Sequence, residues 1–167
     1  MPNPLVDAMM EQQTAKHYRA LGKVAVEWSR FEGYLGDMVR MLAGADNKFG
    51  ECLTAQINSV GRMLDALSSV SELRRPGISS DPSFKKRIDR IRSIASRRHH
   101  VIHDVWTFDP GVANRWPEAS GGAPPPGPIP TPASDIDALA LEIEDLSDEF
   151  LDFRREFLMS LGLWPGQ

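Results

Sequence analysis

The chain has 167 residues, 41% hydrophobic and 25% charged, a composition typical of a soluble globular protein. No run approaches the roughly 20 apolar residues that cross a bilayer, and residues 1–13 lack the basic start and apolar middle of a signal peptide. We therefore expect a cytoplasmic protein with no membrane partner. The single cysteine, Cys52, excludes an internal disulfide and a cysteine-based zinc site.

Apolar residues at spacings of three and four predict a long first helix over about residues 14–43. Its apolar stripe consists of Leu21, Val24, Trp28, Phe31, Leu35, Val39 and Leu42. The same spacing predicts a second helix over about residues 49–73, which ends before Pro76 and Gly77.

A third helix is predicted to begin at Pro82, with Asp81 as its N-cap. Its stripe runs from Phe84 through Ile88, Ile91 and Ala95 and then to Ile102 and Val105. Asp109, Pro110 and Gly111 close this segment, and no part of the chain shows the alternation that predicts a strand.

Residues 119–133 hold six of the 13 prolines and predict a semi-rigid surface loop. A docking site for a proline-recognising domain is the alternative interpretation of this segment. A fourth amphipathic helix follows over residues 135–161, with Ser134 as its expected N-cap. Together the pattern predicts an all-α, up-down four-helix bundle. We expect this bundle to form a single domain over residues 1–167, with a proline-rich loop before the last helix.

The net charge of −4 hides an asymmetry between the third and fourth helices. Residues 85–98 hold seven bases and one acid, whereas residues 135–152 hold eight acids and no base. The two faces are either separately solvated or partly paired with each other. The basic run is also a candidate for contact with a nucleic-acid backbone.

The pattern of the third helix breaks at Arg98, which occupies a position of the apolar stripe. Three of the four histidines follow within five residues, at positions 99, 100 and 103. Histidine suits proton transfer near neutral pH, and neighbouring arginines favour its neutral form. On an ideal helix Arg98 and His103 lie about 140° apart. They need not touch in one chain and could converge across a symmetric dimer interface.

Arg98-His99-x-x-x-His103 resembles the Arg-x4-6-His motif of the HEPN superfamily, in which a polar residue usually follows the arginine. Arg97 fits the looser spacing of the motif. The motif lies late in a long helix, as in HEPN domains, and Trp28-Ser-Arg-Phe-Glu32 is similar to the first helix of many small bacterial HEPN-like proteins. The tandem histidines and the proline-rich loop depart from the common pattern.

The resemblance implies a metal-independent endoribonuclease without cofactors, of the kind found as toxins or phage-defence proteins. His103 would act as general base or acid, Arg98 would stabilise charge on the phosphate, and His99 would assist by orientation. Glu32, a charge in an otherwise apolar neighbourhood, would hold the arginine in place, and Asp104 would have a supporting role. RNA, a second copy of the chain and an antitoxin or other protein are the implied partners. The residues expected to bind the RNA backbone are Lys85, Lys86, Arg87, Arg90 and Arg97.

Two other interpretations stay open. In the first, the histidines are surface residues and Arg98 is an interface residue. The chain is then a non-catalytic helical dimer that binds protein or RNA. In the second, His99 and His103 bind a metal, with Asp104, Glu32 or His17 as a further ligand. A DNA-binding helix-turn-helix fits less well because its short second helix is missing. Trp28 and Trp106 are expected in the core.

Overall fold

The computed structural model describes residues 4–44, 47–57, 59–117 and 127–164. They are mostly helical, with a small antiparallel sheet. The helices are α1 (Pro4–Ala43), α2 (Asn47–Ala55), α3 (Val60–Arg74), α4 (Pro82–His103) and α5 (Ala133–Ser160), with a 3-10 turn at Ile78–Ser80. The strands, in the order β1-β2-β3, are β1 (Val105–Asp109), β2 (Val112–Trp116) and β3 (Ile129–Pro130). Within the described ranges, no helix combines the length and apolar character needed to cross a membrane.

The chain folds into two compact units. The first comprises Met1–Trp28 and Ser96–Ile143, and the second comprises Ser29–Ala95 and Glu144–Gln167. Buried core residues of the first unit include Val24, Trp28, Val101, Ala113, Ile136, Leu139 and Ile143. Those of the second include Phe31, Leu35, Met38, Leu42, Leu64, Leu67, Ile88, Ile91, Ile94 and Phe150. The apolar stripes predicted for the long helices are thus largely the buried ones, and the single-domain organisation stays a prediction.

The first helix begins at Pro4, ten residues before the predicted start. Val6 and Met10 are half-buried and His17 is buried, at spacings that continue the stripe of the helix. The prediction was too short because polar residues occupy this part of the stripe. A half-buried glutamine, Gln13, and the buried His17 do not register as apolar periodicity.

The predicted second helix is wrong, since the segment forms two helices, α2 and α3. Ser59 has extended backbone angles, and its hydroxyl oxygen accepts a hydrogen bond from the Arg62 N–H at 3.3 Å. This N-cap begins a new helix by satisfying one of the backbone donors that lack a partner in the first turn.

The start of α4 confirms the predicted cap at Asp81. Its Oδ1 accepts hydrogen bonds from the Ser83 N–H at 2.8 Å and the Phe84 N–H at 3.2 Å. The Ser83 hydroxyl, followed by these two backbone donors, holds the pKa of Asp81 below its usual value. The cap fixes where the helix that carries the Arg98–His103 motif begins.

The predicted continuation of this helix to Val105 is wrong, and so is the absence of strands. The helix ends at His103, and β1 pairs with β2 in a hairpin that places Val105 opposite Trp116. Residues 105–108 are β-branched or aromatic, which favours a strand. Gly111 supplies a φ of 83° in the turn, a conformation that glycine adopts without a steric penalty.

The proline-rich segment contributes a strand as well as a connection. Ile129–Pro130 forms β3, which pairs with Asn114 and Arg115 of β2. The predicted loop is therefore wrong at its C-terminal part, whereas residues 119–126 lie outside the described residues. The last helix begins at Ala133 rather than after a cap at Ser134.

Candidate functional site

The centre of the candidate site is a contact between Arg98 and His103. The Arg98 Nη1 atom lies 3.5 Å from the His103 Nε2 atom, at the outer limit of a hydrogen bond. The pair therefore touches within one chain, although the two positions are far apart around an ideal helix. His103 is the last residue of α4, and the long arginine side chain spans the difference.

The contact joins a group that only donates hydrogen bonds, the Arg98 guanidinium, to an imidazole nitrogen that can either donate or accept one. Because His103 is exposed, its ring lies within reach of a substrate. An imidazole in this position can exchange a proton with a substrate hydroxyl.

The Trp28 ring contacts the side chain of Arg98. The Arg98 Cζ atom lies 5.9 Å from the centre of the Trp28 ring, within the range of a cation–π interaction. Trp28 is buried, as expected, and the Arg98 side chain is half-buried. The Arg98 Nε atom is buried and has no hydrogen-bond partner among the described residues. The stem of Arg98 thus packs on the core while its head group reaches the surface.

Arg98, His99 and His103 together form what we call the Arg98–His103 cluster. The rings of His99 and His103 are its exposed part. Their ring centres lie 4.7 Å apart, and the planes are inclined by 43°. The His100 ring lies edge-on to the His99 ring, with centres 5.9 Å apart, and its Nδ1 atom lies 3.6 Å from the Asp104 Oδ1 atom. The structure therefore brings together Arg98, His99 and His103, the three residues for which catalytic roles are expected.

Asp104 is buried and forms an ion pair with Arg115 of β2. The indole N–H of Trp106 also donates to the Val101 carbonyl at 3.1 Å, which satisfies one of the free carbonyls in the last turn of α4. These contacts attach the hairpin to the end of α4. The supporting role expected of Asp104 stays a prediction.

Sequence reasoning missed Arg115. The Pro110-Gly111 turn could have indicated its position, because the turn sets the register of the two strands. Pairing Asp109 with Val112 places Arg115 opposite Trp106. Glu32 is an exposed residue of the second compact unit, and its role toward Arg98 stays a prediction.

The basic residues of α4 are partly neutralised. Arg97 forms an ion pair with Glu142 at 2.5 Å, and Arg90 pairs with Glu149. Arg87 lies over the Phe153 ring at 5.0 Å. Lys85 and Lys86 are exposed. Of the two interpretations of the charged faces, partial pairing between the third predicted helix and the fourth is the one observed.

No ligand set supports the interpretation of a metal site. The described residues contain no group of three or more histidines, cysteines, aspartates or glutamates that could hold an ion. His17, one of the suggested ligands, is buried against Phe108, with ring centres 5.4 Å apart. Its two ring nitrogens contact the carbonyls of Gln13 and Thr131, at 3.0 and 3.1 Å.

No protein-family model, curated protein or solved structure matches this chain. The end of α4 holds an exposed imidazole beside a guanidinium group that lies over an aromatic ring. This combination can move a proton and stabilise a neighbouring negative charge at the same place.

Proposed function

We propose that the chain is a metal-independent endoribonuclease of HEPN type, with an up-down four-helix bundle as its fold and the Arg98–His103 cluster as its active site. The observation that carries the proposal is the 3.5 Å contact between Arg98 Nη1 and His103 Nε2. The contact places His103, the proposed proton acceptor, beside Arg98, the proposed anion-binding group. Both residues belong to the motif that resembles that of the HEPN superfamily.

In the proposed reaction, the Arg98 guanidinium moves from His103 to the phosphate, so that His103 Nε2 is free to take the proton of an RNA 2′-hydroxyl, and the 2′-oxygen attacks the adjacent phosphorus. Arg98 stabilises the negative charge that grows on the phosphate oxygens. The bond to the 5′-oxygen then breaks, and that oxygen takes up a proton. The products carry a 2′,3′-cyclic phosphate and a 5′-hydroxyl. In a homodimer, His103 of the second copy would supply the proton, while His99 orients the base.

Lys85 and Lys86 are exposed on α4, the helix that also carries the cluster, and would bind the RNA backbone. Phosphate contacts of this kind supply affinity without sequence selection and weaken as salt is added. Arg90 and Arg97 would have to exchange their glutamate partners for phosphates in order to contribute. We therefore assign the lysines the larger part of backbone binding.

The proposal is tested by incubating the purified chain with mixed RNA in EDTA and identifying the ends of the products. Arg98→Ala is expected to lower the cleavage rate by about 100- to 1,000-fold, the usual cost of removing one group that stabilises a developing charge. Arg97→Ala removes the same charge from the neighbouring position and is the matched variant. Because Glu142 already binds Arg97, we expect only a few-fold loss, through a higher KM.

A wild-type chain that cleaves no RNA, or an Arg98→Ala variant as active as wild type, would contradict the proposal. A larger loss for Arg97→Ala than for Arg98→Ala would assign the motif arginine to position 97. Activity that disappears in EDTA and returns with a divalent ion would contradict the metal-independent mechanism.

A second candidate function is a non-catalytic helical dimer that binds RNA or a protein such as an antitoxin. The ion pairs of Arg90 and Arg97 favour the protein-binding form of this function, because they reduce the positive charge available for phosphates. If this is the function, the wild-type chain should bind RNA or form a dimer but should not cleave RNA. The Arg98→Ala variant would then bind as wild type does.

Trp28 is expected to act as a positioning residue for Arg98. Loss of a cation–π contact costs about 1 kcal/mol, so Trp28→Leu should lower kcat by about fivefold, and Trp28→Phe should recover part of it. The decisive measurement is the same substitution in an Arg98→Ala background, where it should change kcat no further. An equal loss in both backgrounds would show that Trp28 serves only the core, and thermal unfolding reports that contribution separately.

A further inference from the structure

The first compact unit contains a cavity of about 710 Å³ whose lining residues are all distinct from the Arg98–His103 cluster. Its walls come from three segments: the first turns of α1, the β1–β2 turn, and the connection from β3 to α5. The volume falls within the range of about 300–1,000 Å³ that is typical of small-molecule sites.

Most of the lining is apolar. It includes Val6, Met9 and Met10 of α1 and Pro110 and Val112 of the hairpin. Prolines stand in both non-helical walls, and each ring fixes its own backbone φ, which reduces the conformations open to these walls. A preformed apolar wall loses little conformational entropy when a ligand binds.

The two sides of the cavity are also tied together. The Gln13 side-chain oxygen accepts the Gly111 N–H at 3.2 Å, and the ring of His17 contacts the Thr131 carbonyl at 3.1 Å. These hydrogen bonds join α1 to the hairpin turn and to the segment before α5. The cavity is therefore part of the folded unit and does not depend on a single flexible side chain.

Lys16 is the only lysine, arginine, aspartate or glutamate among the described residues that line the cavity. It is exposed and makes no ion pair within the described part of the chain. On α1 it follows Leu5, Met9 and Gln12 at spacings of four, three and four, which places all four on one helix face. Met9, Gln12 and Lys16, which share this face, all line the cavity, so its one charged side chain lies on the same helix face as an apolar one.

We propose that this cavity binds a small amphipathic anion, a molecule with an unbranched apolar chain and one carboxylate. The chain would lie between the methionines of α1 and the proline-bearing walls, and the carboxylate would pair with the Lys16 ammonium. The charge of the cavity selects the ligand class, since a cation would meet Lys16 with no acid among the lining residues to offset it. This site is independent of the proposed ribonuclease activity.

The test is a calorimetric titration of the full chain with decanoate below its micelle concentration. Decanol and decyltrimethylammonium serve as neutral and cationic probes of the same length. Wild type is expected to bind one decanoate, to bind decanol more weakly, and to bind the cation least. Lys16→Met keeps the apolar stem and should weaken decanoate binding by about fivefold, since the pair stays partly solvated, without changing decanol binding.

Lys23→Met is the matched control, because Lys23 lies on the same helix, pairs with Asp137 at 2.8 Å and does not line the cavity. It should leave decanoate binding unchanged. Met10→Trp fills the cavity and should abolish binding of both decanoate and decanol. Thermal unfolding verifies that each variant is folded.

Three results would overturn the proposal. The first is a wild-type chain that binds neither decanoate nor decanol. The second is an equal loss for Lys16→Met and Lys23→Met, which would mean that general charge attraction explains the binding. The third is binding to vesicles of anionic lipid without binding to monomeric decanoate, which would assign the surface to a membrane instead.

Discussion

Replacing His103 is expected to lower the rate of RNA cleavage by about 100- to 10,000-fold, the range for loss of a general acid–base group. His103→Gln is the most informative change, because a glutamine oxygen can still accept a hydrogen bond from Arg98 but cannot carry a proton through the reaction. His103→Ala removes both abilities. Equal losses for the two variants would show that proton transfer, rather than the contact with Arg98, is what the reaction needs.

The control for His103 is His100→Ala. His100 is exposed and lies in the same turn of α4, but it contacts Asp104 rather than Arg98. We expect its cleavage rate to stay within a few-fold of wild type. RNA binding, measured by fluorescence anisotropy, should change little in either variant, since phosphate contacts dominate affinity. Cleavage by His103→Gln at the wild-type rate would exclude His103 as the proton acceptor.

The helical part of the fold could be predicted because each long helix repeats its apolar residues every three or four positions. Phe84, Ile88 and Ile91 are buried as that spacing requires. The hairpin was missed for a physical reason. Ile102 and Val105 continue the helical spacing, and five-residue strands hold too few residues to show alternation against that background. Pro110-Gly111 was the available signal, and it marks a turn between strands rather than the end of a helix.

The site could be predicted only as a set of residues. The sequence indicates Arg98 through its place on an apolar stripe, and the histidines through their clustering. It does not indicate that Arg98 rests on Trp28, because 70 residues separate the two, nor that His103 ends the helix. The ion pairs of Arg90 and Arg97 likewise depend on side-chain conformations that charge counting cannot supply.

The second large effect is expected at Asp104. Its carboxylate is 3% exposed and pairs with Arg115, whose side chain is 17% exposed. Removing one partner of a buried pair leaves the other charge without compensation, at a cost of about 3–5 kcal/mol. We therefore expect Asp104→Ala to lower the free energy of unfolding by about 3 kcal/mol, measured by urea denaturation.

The double variant Asp104→Asn/Arg115→Gln shows whether the pair itself is responsible. It removes both charges and retains polar side chains of similar size, so it should recover much of the stability that either single change loses. Asp109→Asn is the control for loss of an acid in the same hairpin, because Asp109 is exposed, and it should change stability by less than about 0.5 kcal/mol. Additive losses in the double variant would show that Asp104 and Arg115 act independently. Recovered stability would show instead that the loss in each single variant comes from the buried charge left without its partner.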